Sequence, residues 1–156
     1  MQEGLAAQRA TGSEAVAPYF LALQAEIYGK MGQLEEGLAA LAEASAMRQR
    51  TGEQWYEAEL YRLKGTLTLQ LFNVQGSKSQ VEKEAEACFL KAIEIARRQS
   101  AKSLELRAVM SLSRLLQQQG KRGEARQLLA EIYGWFTKGF DTVDLQEAKG
   151  LLEELS

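Results

Sequence analysis

Leu63-Lys64-Gly65, and after it Ala85-Glu86-Ala87-Cys88-Phe89-Leu90-Lys91-Ala92, set small and bulky residues at stations that the chain has already used once, in Leu23-Gln24-Ala25 and then Leu41-Ala42-Glu43-Ala44. The punctuation ahead of each copy is shared as well, Thr11-Gly12 before the first and Thr51-Gly52 before the second. Thr11 and Thr51, Leu23 and Leu63, and Ala25 and Gly65 are each 40 residues apart. A fixed period of this size is the mark of a helical solenoid, in which one helix pair cannot bury its apolar face alone and needs a neighbour. The chain is therefore expected to offer a surface rather than a reaction chamber.

Outward from these stretches, apolar residues keep recurring at spacings of three and four, the signature of amphipathic helices. Residues 18–50 form a first repeat: Leu21, Ala25 and Tyr28 share a stripe, Gly32 breaks it, and Leu34, Leu38, Leu41, Ala44 and Met47 carry the second helix to Thr51-Gly52. Residues 55–99 form a second repeat, with Leu60, Leu63, Leu67 and Leu71 in one helix and Ala85, Phe89, Ala92, Ile93 and Ala96 in the next. Gly65 and Ala85 lie 20 residues apart where Ala25 and Gly37 lie 12 apart, so this repeat carries an insertion of 8, placed at 73–81 and read as polar loop. Insertions of this kind map to loops on one face of a solenoid.

Residues 103–136 form a third repeat, turning at Gly120-Lys121-Arg122-Gly123, and residues 142–155 a capping helix that covers the open end with Leu145, Ala148, Leu152 and Leu155. Asp141 is expected as its N-cap, accepting from the Asp144 amide, with Phe140 stapled onto Leu145. At the other end, residues 3–12 read as the last turns of a preceding repeat, because Gln8-Arg9-Ala10-Thr11-Gly12 mirrors Arg48-Gln49-Arg50-Thr51-Gly52. The array is thus expected to start in mid-repeat, as a fragment of a longer polypeptide.

Composition agrees with an all-α chain. One proline in 156 residues is few, and proline is what helix interiors exclude. Net charge is −2 with basic residues scattered among acidic ones, which argues against direct nucleic-acid binding. No stretch approaches the run of about 18 apolar residues needed to span a membrane, and Met1-Gln2-Glu3-Gly4 lacks the opening of a secretory signal. A cytoplasmic location is the expectation. The single Cys88 is read as a structural thiol inside a helix.

Catalysis is not expected. There is no histidine, one cysteine and no phosphate-binding Gly-x-x-x-x-Gly-Lys-Ser/Thr loop, so no catalytic, cofactor-binding or metal residues are assigned. Glu35-Glu36 and Glu153-Glu154 read as solvated helix faces. Trp135, Phe136 and Phe140 are expected to pack beneath the final helix, whereas Tyr19, Phe20 and Tyr28 stand at the open N-terminal edge.

Ala85-x3-Phe89-x2-Ala92, with Leu63-x-Gly65, resembles the tetratricopeptide pattern. Its stations recur as Ala25, Tyr28, Gly32, Gly37, Leu41 and Ala44, and again as Leu112, Ser113, Leu116, Gly120, Ala125, Leu129 and Ile132. The resemblance covers about residues 18–136 and implies an α-solenoid of antiparallel helix pairs wound as a right-handed superhelix. A period of 40 exceeds the 34 of the usual motif. The longer period is similar to arrays at the C-terminal end of large bacterial signal-transduction ATPases, of adenylate cyclase or transcription-regulator type. Ala85-Glu86-Ala87-Cys88-Phe89, Gln99-Ser100-Ala101-Lys102-Ser103-Leu104-Glu105-Leu106-Arg107 and Trp135-Phe136-Thr137-Lys138-Gly139-Phe140-Asp141-Thr142 resemble the closing segment of such proteins.

Laid onto the first helices, the tetratricopeptide stations imply a concave peptide-binding groove lined by Tyr19, Glu26, Lys30, Glu59, Arg62, Thr66, Gln70, Arg107, Met110, Arg114 and Gln117. Arginines on neighbouring helices can hold a carboxylate by paired hydrogen bonds. Members of the family that clamp a C-terminal carboxylate carry basic residues at stations matching Arg62 and Arg107, with asparagines where this chain has Glu26 and Thr66. The expected function is a non-catalytic protein-interaction or regulatory module, the C-terminal arm of a larger bacterial signalling or transcription-regulating ATPase. The alternative is a stand-alone adaptor that takes acidic or C-terminal peptides. Expected partners are a protein or peptide, upstream domains of the same polypeptide, or a second copy through the N-terminal edge, with neither membrane nor nucleic acid.

Overall fold

The structure is a computed structural model that describes residues 17–51, 56–71, 78–139 and 142–156. Among these residues all regular structure is helical: α1 (Ala17–Lys30), α2 (Leu34–Thr51), α3 (Glu57–Leu71), α4 (Lys78–Arg98), α5 (Lys102–Gln118), α6 (Arg122–Tyr133) and α7 (Val143–Leu155). None of these helices is long and apolar enough to cross a membrane.

Three of the turns are built alike. Gly32, Ser100 and Gly120 hold positive φ angles of 78°, 55° and 80°. In each case the next amide donates back to a carbonyl five residues earlier: Gln33 to Tyr28 and Lys121 to Leu116 at 2.8 Å, and Ala101 to Ala96 at 2.8 Å. This closure satisfies the orphan carbonyls at a helix end, and glycine adopts the left-handed residue it needs without strain. Short turns of this kind oblige consecutive helices to pack on one another. Accordingly α1 packs on α2, α4 on α5 and α5 on α6, and contacts also join α2 to α3, α3 to α4 and α6 to α7. A second set of contacts joins α1 to α3, α3 to α5 and α5 to α7.

Small residues govern how closely the helices approach. Gly65 of α3 receives the ring of Phe89 from α4, and a Cβ there would stand 2.6 Å from Phe89 Cε1 and 3.1 Å from the Ala85 carbonyl oxygen. Gly29 of α1 and Gly37 of α2 admit Leu67 from α3 in the same way. Ser113 of α5, fully buried, donates its hydroxyl to the Ala125 carbonyl of α6 at 3.3 Å. Two large cores result, one joining α1, α2 and α3 around Leu21, Met47 and Leu63, the other joining α4 to α7 around Phe89, Val109 and Leu129. The last helix buries Leu145, Ala148, Leu151 and Leu155. Leu151, not Leu152, fills the third place, since Leu152 is only partly buried.

Three further expectations need correction. The helix after the insertion begins at Lys78, so residues 78–81 are helical, not loop, and Val81 is a core residue. Thr142, not Asp141, caps the final helix: its φ and ψ are −68° and 152°, and its hydroxyl accepts from the Leu145 amide at 3.4 Å. Trp135 is not packed beneath that helix. It stands 57% exposed, edge-on to Phe136 with ring centroids 5.2 Å apart and with Lys102 Nζ 5.6 Å from its own ring centre. The readings of residues 3–12, of residues 52–55, of 73–77 in the insertion and of Phe140 and Asp141 lie outside the described residues.

Candidate functional site

The first helices bring their polar stations into one row. Tyr19, Glu59 and Arg107 are equivalent positions on α1, α3 and α5, successively 40 and 48 residues apart because of the 8-residue insertion. At the centre of the row is Glu59, whose side chain is 1% exposed. Arg62, one turn along α3, donates to Glu59 Oε1 through Nε at 3.0 Å and through Nη2. Arg107 reaches the same oxygen from α5, with Nη1 at 2.9 Å. A buried carboxylate needs such company, because an isolated charge out of water is costly. The other oxygen, Oε2, is buried without a hydrogen-bond partner.

The row continues toward the C-terminus. Arg107 Nε lies 3.8 Å from Asp144 Oδ1 of α7, and Arg114 Nη2 lies 3.8 Å from Glu147 Oε2. Toward the N-terminus it meets aromatic rings: Tyr56 stands edge-on to Tyr19 at a centroid distance of 5.2 Å. The Tyr56 hydroxyl is pushed up to about 12, chiefly by burial and then by the Glu59 charge, with Arg107 and Arg62 pulling the other way. Burial, the largest single influence, opposes the charge on Arg62, but its hydrogen bond to Glu59 together with the charges of Glu59 and Glu26 outweighs it and raises its pKa.

Of the eleven expected groove residues, Glu26, Lys30, Arg62, Thr66 and Gln70 are brought together around a small cleft of about 160 Å³ between α1 and α3. Lys30 pairs with Glu26 at 3.8 Å, Thr66 donates its hydroxyl to the Arg62 carbonyl, and Gln70 buries an unpartnered Oε1. Tyr19, Arg107, Arg114 and Gln117 are partly or well exposed along the same row. Two assignments are corrected. Met110 is 3% exposed and belongs to the core of α4 to α7, so it lines no groove. Glu59 faces inward as the shared counter-charge of Arg62 and Arg107 and cannot meet a ligand directly.

A second buried carboxylate is absent from the sequence reading. Glu105, 4% exposed, accepts from Arg97 Nε at 2.9 Å and pairs with Lys102 Nζ at 3.3 Å, tying the end of α4 to the start of α5. Glu59 and Glu105 share a signal that could have revealed them. Each lies on the apolar stripe of its helix, four residues before Leu63 and Val109 respectively, with a basic residue within three positions. A larger groove of about 570 Å³ opens on α2 and α3, apolar except for Ser45, Tyr61 and Lys64. Cys88 is half-buried, and burial raises its thiol pKa, with Lys64 opposing. Among the described residues no three His, Cys, Asp or Glu side chains gather as a metal site.

No family model matches this chain. It is 31% identical over 115 residues, 73% of its length, to an uncharacterized protein of Rhizobium meliloti (strain 1021). The chain spans only 10% of that relative's length.

Proposed function

We propose that the chain is an α-solenoid of antiparallel, tetratricopeptide-like helix pairs with α7 as its cap, working as a non-catalytic protein-interaction or regulatory module. The observation that carries this reading is the pair of contact series, every helix on its successor and α1, α3, α5 and α7 on one another in order. That is how stacked repeats make one continuous inner face. The match to a small fraction of a far longer relative supports the further reading that the module is one arm of a large polypeptide, of signalling or transcription-regulating ATPase type.

The charges on the inner face favour this over the adaptor for acidic tails. Arg62 and Arg107 share Glu59, and Arg114 faces Glu147, so each arginine already has an internal partner. A ligand carboxylate would have to compete with a buried one. A fluorescence titration with paired peptides, identical except for a free or amidated C-terminus, tests the choice. Equal affinity within each pair is expected. Tight binding of the free-acid forms alone, lost in Arg62→Ala with Arg107→Ala, would establish the adaptor instead. For the interaction module itself, binders selected against the whole chain are expected to slow hydrogen exchange on α1, α3 and α5, and binders that consistently protect other faces would contradict it.

A further inference from the structure

The groove of about 570 Å³ on α2 and α3 exists because the side chains along it are small. Ala42, Ser45 and Ala46 line one flank of α2, and Leu60, Tyr61 and Lys64 of α3 form the facing wall. At about 3.6 residues per turn these α3 positions lie across the helix from Glu59, Arg62 and Thr66, so the groove is separate from the charged row. Its far edge borders α4. Tyr61 packs against the core that holds Phe89, and the Lys64 charge acts on the Cys88 thiol.

The matching place one repeat on is filled. Stations of α2 and α3 recur 48 residues later in α4 and α5, as Gly37 does in Ala85 and Leu41 in Phe89. Ser45 corresponds to Ile93 and Lys64 to Leu112, which are 4% and 2% exposed in the core of α4 to α7. Ala42 corresponds to Leu90. Three bulky apolar residues thus stand where Ala42, Ser45 and Lys64 leave space, and the groove belongs to this one site.

Its volume is in the range that takes a small molecule. Its walls offer leucine and alanine side chains and a single cation. Lys64 is exposed and belongs to no ion pair among the described residues. Glu84, which also acts on the Cys88 thiol, accepts from Gln80 and does not line the groove.

We propose that this groove binds a small amphiphilic carboxylate, its alkyl or aryl body lying along α2 from Leu38 to Ala46 and its head on Lys64 Nζ. That stretch of helix is about 12 Å long, the reach of an extended chain of about ten carbons. Removing the methylenes from water supplies the affinity, and the charge-assisted hydrogen bond from Lys64 selects the head.

The test is calorimetric titration of the whole chain with decanoate below its micellar concentration, with alanine-methyl NMR to place it. Saturable binding to one site is expected, shifting the Ala42 and Ala46 methyl signals and leaving Ala148 of α7 unmoved. Octanoate, two methylenes shorter, is expected to bind on the order of tenfold more weakly. Lys64→Gln, at an exposed position, is expected to weaken decanoate about tenfold. Ser45→Ile with Lys64→Leu, which supplies the side chains of the filled repeat, is expected to abolish binding without lowering the melting temperature. Absence of saturable binding, equal affinity for decanoate and decyltrimethylammonium, or shifts away from Ala42 and Ala46 would overturn the proposal. If decanoate binds only after Trp55→Ala or Leu5→Asp, a segment of the chain itself fills the groove and the proposal is wrong. If binding fades as protein concentration rises, with a dimer in sedimentation, a second copy is the occupant and the proposal is again wrong.

Discussion

Glu59 is the residue on which the inner face turns. It is buried, it serves two arginines from two helices, and its neutral replacement would leave both cations facing each other across a dry gap. Glu59→Gln is expected to lower the unfolding free energy by about 3 kcal/mol, the lower end for breaking a buried pair because Arg107 can turn partly to water. Urea denaturation measures this. Arg114→Ala, which removes an exposed partner of Glu147, is expected to change stability by under about 0.5 kcal/mol in the same experiment. Tyr56 reports on the same environment. Its proton is held to about pH 12 in the folded chain, against about 10 in an unfolded one. The folded state thus retains a proton that the unfolded state loses, so the contribution is whole below pH 10 and disappears as pH rises from 10 to 12. An ultraviolet titration is expected to show a late tyrosinate step near pH 12 that is missing in Tyr56→Phe. These roles were hard to read from the chain alone. Spacing puts Glu59 on the apolar stripe, four residues before Leu63, and so marks it as a charge that turns inward, but that Arg107 joins Arg62 on it is decided only by the meeting of α3 with α5.

At the scale of elements, glycine identity separates close packing from mere permissiveness. Gly65→Ala forces a methyl into the Phe89 ring and against the Ala85 backbone, and a loss of about 1–3 kcal/mol is expected, as for other overpacked sites. Gly150 sits inside α7 with nothing near its absent Cβ. Gly150→Ala is therefore expected to stabilise by about 0.5–1 kcal/mol through helix propensity, and thermal melts of the two variants should move in opposite directions. The Gly65 contact was legible in the sequence because small and bulky residues recur at fixed stations. Other features left no such trace. The first turn of α4, Lys78-Ser79-Gln80, is wholly exposed, so no apolar periodicity marks it and polar composition reads as loop. Thr142 and Asp141 are both good caps by chemistry, and only backbone geometry chooses Thr142. Trp135 reads as core by size alone, yet α6 ends at Tyr133, and the chain leaves the bundle there with the indole outside.

For the whole molecule, the all-helical composition and the order of helices followed from periodicity. The arrangement proposed for them is a line of repeats, each touching only its neighbours. In such a line, stability is local and graded: α4 and α5 have helices on both sides, whereas α1 has neighbours on one side only among the described residues. Native-state hydrogen exchange, read helix by helix at low denaturant, tests this most directly. The expected result is protection that is greatest in α4 and α5 and falls stepwise through α3 and α2 to α1. A single common unfolding free energy for α1 through α7, with no gradient along the chain, would contradict a solenoid and with it the interaction module built on one.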